Sequence, residues 1–142
     1  MVLIRTATLQ DCRLCEELSR IKELTPADGT YITEEYFRCF VDPYDLFFVA
    51  EDHGEIVGYI LGEPMKGNMA HLGLLTVSEA MRGKGIGKRL VTAFREKCEA
   101  LGLDILLYAP LDNPSTLAFY RGQGFTEGKV HVNFLDVRKP VS

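Results

Sequence analysis

Between positions 82 and 88 the chain reads Arg82-Gly83-Lys84-Gly85-Ile86-Gly87-Lys88, three glycines at every second position with cations around them. Glycines at this density let the backbone approach a ligand closely. The apolar-periodic run that follows predicts a helix whose first N–H groups point outward at the positive end of its dipole. That is an anion site made of backbone, suited to a phosphate. Spacing excludes two other phosphate loops. A Walker A loop needs a glycine five residues before its Gly-Lys pair, where Arg82 stands, and the dinucleotide fingerprint needs a third glycine where Lys88 stands. From 82 to 97 there are six basic residues and one acid, a net of +5, and Arg82, Lys84, Lys88 and Arg89 are the cations available for a further phosphate. A glycine cap without a ligand has no need of such a cluster centred on it.

Apolar periodicity sets that turn in a mixed α/β chain. Residues 2–7 predict a first strand; Thr8 and Asp11 make a Thr-x-x-Asp helix start, and Leu9, Cys12, Leu14, Cys15, Leu18 and Ile21 the stripe of a first helix. Pro26 and Asp28 break it within 25–29, and Thr33-Glu34-Glu35 opens a short second helix over 33–40. Strands follow at 46–51 and 56–61 around an Asp52-His53-Gly54 turn, then at 70–77, where Gly73 marks either a bulge or a packing position. The clearest helix covers 85–101, with Ile86, Leu90, Val91, Phe94, Cys98 and Leu101 at helical spacing and Gly102 as its C-terminal cap. A strand over 103–109, a short helix over 113–122 and one or two closing strands within 125–137 complete the order βααβββαβαβ(β).

At 142 residues this is the size of a single domain, 1–142, able to bury its own core. Apolar residues make up 46% of it and the formal charge is only −4, which excludes a chain that stays unfolded and argues against a duplex nucleic-acid binder. The charge is unevenly spread: residues 8–55 hold 4 basic and 12 acidic residues, a net of −8 opposite the +5 segment. No stretch approaches the ~20 apolar residues of a membrane span, and Arg5 and Asp11 interrupt the N-terminal run before a signal-peptide core accumulates. Cys12 and Cys15 form a CxxC without a second pair, so they read as small apolar residues on one helix face rather than as a redox or zinc motif. The expectation is a reduced, cytoplasmic protein with no metal and no membrane partner.

Arg82-x-x-Gly85-x-Gly87 after a strand ending in Val77 resembles the Arg/Gln-x-x-Gly-x-Gly/Ala motif of the GNAT superfamily of N-acetyltransferases. Asn113-Pro-Ser-Thr-Leu-Ala-Phe119-Tyr120, followed by Gly124-Phe125, is similar to that family's second signature. The element order fits over essentially the whole chain. Glu79 replaces a common proline, and Thr116 stands where alanine is frequent; neither change removes a group the chemistry needs. The resemblance implies an α/β fold of the α+β type, with a GNAT-like mixed, mostly antiparallel sheet and helices on both faces. It also implies acetyl-CoA as cosubstrate, with its pyrophosphate bound by the turn from Arg82 through Gly83, Lys84, Gly85, Ile86 and Gly87 to Lys88. The pantetheine arm and the developing oxyanion would then lie along Leu75, Thr76 and Val77.

In the same resemblance Tyr120 aligns with the general acid that protonates the leaving thiolate. A phenol near ~10 and a thiol near ~8.5 make that transfer downhill only if the phenol is lowered. Asn113 would touch the cofactor as well as cap its helix. His71, eleven residues before Arg82, resembles the position of the strand glutamate in the superfamily's histone acetyltransferases, and imidazole suits a base at neutral pH. As a lone strand histidine it is equally a packing candidate. Glu51 is the second candidate base; His53 and His131 read as structural or solvated. By elimination the acidic 8–55 region is left for the acceptor, a small-molecule or peptide amine, with Tyr31, Tyr36, Phe37 and Phe40 either walling a pocket or filling the core.

The expected reaction is direct attack in a ternary complex, because no cysteine sits in a nucleophile arrangement, by a monomer or homodimer. The alternative is a noncatalytic acyl-CoA-binding sensor or regulatory module. Asn113 and Tyr120 together argue against it, since binding alone requires no acid at the thiol.

Overall fold

The computed structural model describes residues 1–21, 24 and 31–129. Two compact units divide the chain, residues 1–108 and 109–142. The first holds a five-stranded sheet in the order β1 (Val2–Thr6), β2 (Phe47–Asp52), β3 (Glu55–Met65), β4 (Met69–Val77), β5 (Asp104–Leu106). Neighbours are antiparallel except β4 and β5, which run parallel. α1 (Cys12–Leu18), α2 (Glu34–Arg38) and α3 (Ile86–Ala100) complete this unit, and α4 (Pro114–Gly122) belongs to the second.

The expected order holds through α4. The predicted closing strands do not appear over 125–129, and positions 130–142, His131 among them, lie outside the described residues. The break predicted at 25–29 lies outside them too. No helix among the described residues is long and apolar enough to cross a membrane.

Alternation along β3 separates two packing faces. Tyr59 and Leu61 join Phe47, Val49, Cys12, Cys15 and Phe37 in a buried cluster under α1 and α2. Gly58 and Gly62 face the other way: a methyl group on Gly58 would meet Leu90 at 3.3 Å, and one on Gly62 would meet the Phe94 ring at 2.5 Å. Helices therefore cover both faces of this sheet, with Ile86, Leu90, Val91, Phe94 and Cys98 of α3 buried against β2, β3 and β4. The aromatic cluster divides accordingly. Phe37 is core and Phe40 packs against it, whereas Tyr31 and Tyr36 are exposed. Cys12, Cys15 and Cys98 are buried and free. Burial pushes the Cys12 and Cys98 thiols up to about 11 and raises that of Cys15 further, so they are packing residues and not thiolates.

Local chemistry accounts for the connections. His53 at φ 51° and Gly54 at φ 80° make the two-residue hairpin between β2 and β3, both central residues in the left-handed region that such turns require. Asp11, buried at the start of α1, takes the Thr8 N–H at 2.7 Å and both terminal nitrogens of Arg5 at 2.8 and 2.9 Å. Burial pushes its carboxyl up, and these donors outweigh that and hold it below its ordinary value.

Gly62 is the tightest point. A Cβ there would lie 2.3 Å from the His71 carbonyl oxygen as well as against Phe94, whereas one on Gly73 would make only ordinary contacts at 3.5 Å. Denaturant melts of Gly62→Ala should show a loss of roughly 2 kcal/mol from overpacking, and those of Gly73→Ala a loss below about 1 kcal/mol.

Candidate active site

The two strands that would hold a thioester part company early. β5 pairs only Asp104, Ile105 and Leu106 with Met69, Ala70 and His71, yet β4 continues to Val77. The predicted strand over 103–109 is thus three residues long. The reason lies in β4, where Leu61 pairs with Leu74 and Gly62 with Leu72, leaving Gly73 as the extra residue of a bulge two positions past the last β5 pair. A bulge bends its strand and increases the local twist, which carries β4 away from β5.

Ladder parity then decides which backbone groups face the parting. Ser78 donates to the Val57 carbonyl at 2.8 Å, which makes the opposed pair Tyr59 and Thr76 hydrogen-bonded in turn. The groups of Thr76 thus turn to β3, while those of Leu75 and Val77 turn to the β5 side. Of the expected trio, Leu75 and Val77 present backbone outward and Thr76 does not. The Val77 carbonyl accepts from Arg82 Nε at 3.1 Å. Thr76 contributes its side chain instead. Its hydroxyl, the Tyr59 phenol and Ser19 Oγ form a buried chain, with Ser19 2.6 Å from Tyr59 Oη and 2.6 Å from the Cys15 carbonyl. Ser19 gives its single proton to that carbonyl, so the chain is ordered from Thr76 through Tyr59 to α1.

Past Val77, a short 3-10 turn at Glu79–Met81 leads to Arg82, and Gly83 at φ 76° and Gly85 at φ 78° swing the chain into α3. No atom of the described residues beyond the chain neighbours lies within 4 Å of a Cβ built on either glycine, so backbone conformation rather than space demands them. Among the described residues no side chain caps α3, which leaves its N-terminus without a side-chain cap there. Gly83, Lys84, Gly85 and Lys88 are exposed, and Ile86 is the buried residue that anchors the turn. Arg89, expected among the phosphate cations, instead donates to the Val2 carbonyl at 2.9 Å and ties α3 to β1. These features fit a pyrophosphate, with open N–H groups, positive helix end and flanking lysines in one place.

His71 sits at the vertex where β4 and β5 part, half-buried, with the Tyr108 ring 5.8 Å away. Glu51 lies in β2, separated from β4 by β3, and its carboxylate is 3.4 Å from Arg5; the structure does not bring it to the parting. His53 is exposed beside Asp52. Glu63, pairing directly opposite His71, escaped the sequence reading because β3 was expected to end at position 61 and runs to Met65.

In the second unit, Asn113 caps α4 by accepting from the Thr116 N–H at 3.2 Å and from Ser115 Oγ at 3.0 Å. Tyr120, two turns on, packs edge-on against Phe119 and Phe125 with centroids 5.2 and 5.7 Å away. Burial raises its phenol, the direction opposite to the one that would make proton transfer to the thiolate downhill. It holds its proton well past neutrality but is a weaker acid than a free phenol.

The sequence matches the acetyltransferase (GNAT) family over residues 12–125. The chain belongs to that family. It is 29% identical over 132 residues to an IAA acetyltransferase of Azospirillum brasilense, covering 89% of this chain and 85% of that one. Among solved structures it resembles a transcriptional regulator from Bacillus halodurans (TM-score 0.77, 25% identity, 95% of this chain and 99% of that). The fold also matches a PaiA N-acetyltransferase from Thermoplasma acidophilum in complex with coenzyme A (TM-score 0.72, 21% identity, 92% and 93% of the two chains). Acetyl-CoA as cosubstrate fits this family.

The left-handed turn gives this GNAT site a direct test. Gly85→Ala should cost about 1 kcal/mol of stability through its positive φ, and calorimetry should show weaker coenzyme A binding. Undiminished affinity would remove the turn from the phosphate site.

Proposed function

We propose that this protein moves an acetyl group from acetyl-CoA to a primary amine by direct attack in a ternary complex. The observation that carries the reading is the parting of β4 from β5 at His71, with Leu75 and Val77 turned toward it and the uncapped glycine turn just beyond. The backbone N–H groups of Gly83, Gly85, Ile86 and Gly87, with Lys84 and Lys88, hold the pyrophosphate. The Leu75 N–H receives the thioester carbonyl oxygen as charge develops on it. Acetyl-CoA supplies an activated acyl group, and the chain supplies proton management and position.

His71 accepts the proton of the ammonium form, directly or through one water, so that the nitrogen can attack. As the N–C bond forms the C–S bond breaks, and the sulfur leaves with the Tyr120 proton. The surplus proton on nitrogen passes to water, and water reprotonates the phenolate. The net products are an amide, a thiol and one proton. Because burial raises the Tyr120 phenol, the acid is in its protonated, donating form when sulfur leaves. Asn113 fixes the start of the helix that carries Tyr120. Four free cysteines, three of them buried with raised or packed thiols, agree with a reducing cytoplasm.

The regulator among the structural neighbours keeps a second reading in view, a noncatalytic acyl-CoA-binding module. Mass spectrometry after incubation with acetyl-CoA and a panel of polyamine, amino-acid, aminoglycoside and peptide acceptors separates the two. An acetylated amine is expected; coenzyme A binding with no acetylated product would favour the module.

Two substitutions test the roles. Tyr120→Phe should lower kcat by about 100-fold with little change in coenzyme A affinity. In wild type the raised phenol keeps the acid protonated, so activity lost to its ionisation appears only above the ordinary phenol range. His71→Ala should abolish the limb on which kcat/KM rises with pH, because the base must be deprotonated to act; an unaltered profile would assign the proton to water.

A further inference from the structure

Beside the vertex of the parting lies a set of side chains that the acetyl-transfer steps leave unused. Gly62 faces α3 and Leu61 faces α1 and α2, so Glu63, the next residue after Gly62, lies on the α1/α2 face. It pairs directly with His71 across β3 and β4, and side chains so opposed have Cβ atoms about 5 Å apart. Glu63 is exposed, and no lysine or arginine among the described residues forms an ion pair with it. Two phenol rings belong to the same neighbourhood. Tyr108, 76% exposed, stands 5.8 Å from the His71 ring. Tyr36 of α2, 44% exposed, packs on Phe40 at 5.1 Å and feels the Glu63 charge, which adds to burial in raising its phenol.

A carboxylate without a lysine or arginine partner among the described residues, a proton acceptor and two exposed aromatic faces make up the chemistry that selects an ammonium ion. The same carboxylate repels an acceptor that carries its own carboxylate beside the amine. We propose that Glu63 is the specificity residue of the acceptor site: it holds the ammonium group of amines that lack an adjacent carboxylate, such as a peptide N-terminus or a polyamine, and turns it toward His71. Free α-amino acids are thereby disfavoured. Tyr36 and Tyr108 supply the apolar walls. This inference rests on the acetyltransferase reading and narrows its substrate class.

The test uses alaninamide and alanine, which differ at the carboxyl group, as acceptors at saturating acetyl-CoA with the wild type, Glu63→Gln and Glu63→Asp. The readout is the change in the alaninamide-to-alanine ratio of kcat/KM between variants, so the different basicity of the two amines cancels. Glu63→Gln should reduce that ratio by roughly tenfold, equivalent to about 1.4 kcal/mol. Glu63→Asp should retain most of it, and coenzyme A affinity and the melting temperature should stay at wild-type values in both. A merely structural role would not move the ratio. An unchanged ratio in Glu63→Gln would overturn the assignment while leaving acetyl transfer standing. Failure of the wild type to acetylate either amine or any acceptor of the wider panel would instead remove the underlying reading, and this inference with it.

Discussion

Backbone polar groups must find partners, and among the described residues the sheet stops providing them on the outer edge of β4 after three residues. The Gly73 bulge bends the strand away from β5, and ladder parity leaves Leu75 and Val77 facing the parting while Thr76 stays committed to β3. Arg82 reaches back to the Val77 carbonyl and so joins the strand end to the glycine turn at its other side. The remaining groups are donors and acceptors held in place by the strand itself, as the proposed stabilisation of an oxyanion requires. Much of the surrounding packing maintains this one distortion. Gly62 admits the His71 carbonyl where a side chain would collide, and the hydroxyl chain from Ser19 through Tyr59 ties Thr76 to α1.

Charge is arranged around the same line. At one end of β4, past Val77, the uncapped start of α3 and the lysines at 84 and 88 offer a positive, open surface to phosphate. Nearer its beginning, His71 and Glu63 pair on the opposite face of the sheet from α3, with exposed phenols nearby. The near-neutral total charge therefore conceals two oppositely charged groups placed near the two ends of β4.

The features readable in sequence were those set by local chemistry. The glycine turn, the α3 stripe, the hairpin at His53 and Gly54 and the cap at Asn113 each depend on residues within a few positions of one another. Features set by long-range pairing were not. Residues 103–109 are apolar enough for a full strand, but apolarity reports burial and not pairing, and the length of β5 is decided by a bulge in β4. Gly73 carried both a bulge and a packing reading until the register of β3 separated them. Glu51 looked like a base because sequence does not reveal that Arg5, 46 positions away, stands beside it. Glu63 was hidden by a strand that outran its apolar core, and the direction of the Tyr120 shift follows from burial that only the packed structure discloses.

Amide hydrogen exchange along β4 tests the central claim most directly. Without ligand, the Leu75 and Val77 N–H groups should exchange quickly and that of Thr76 slowly, because only Thr76 donates within the ladder. On saturation with acetyl-CoA, Leu75 should become strongly protected and Thr76 should change little. Exchange at Leu75 that is already slow without ligand, or that stays fast at saturation, would contradict the account.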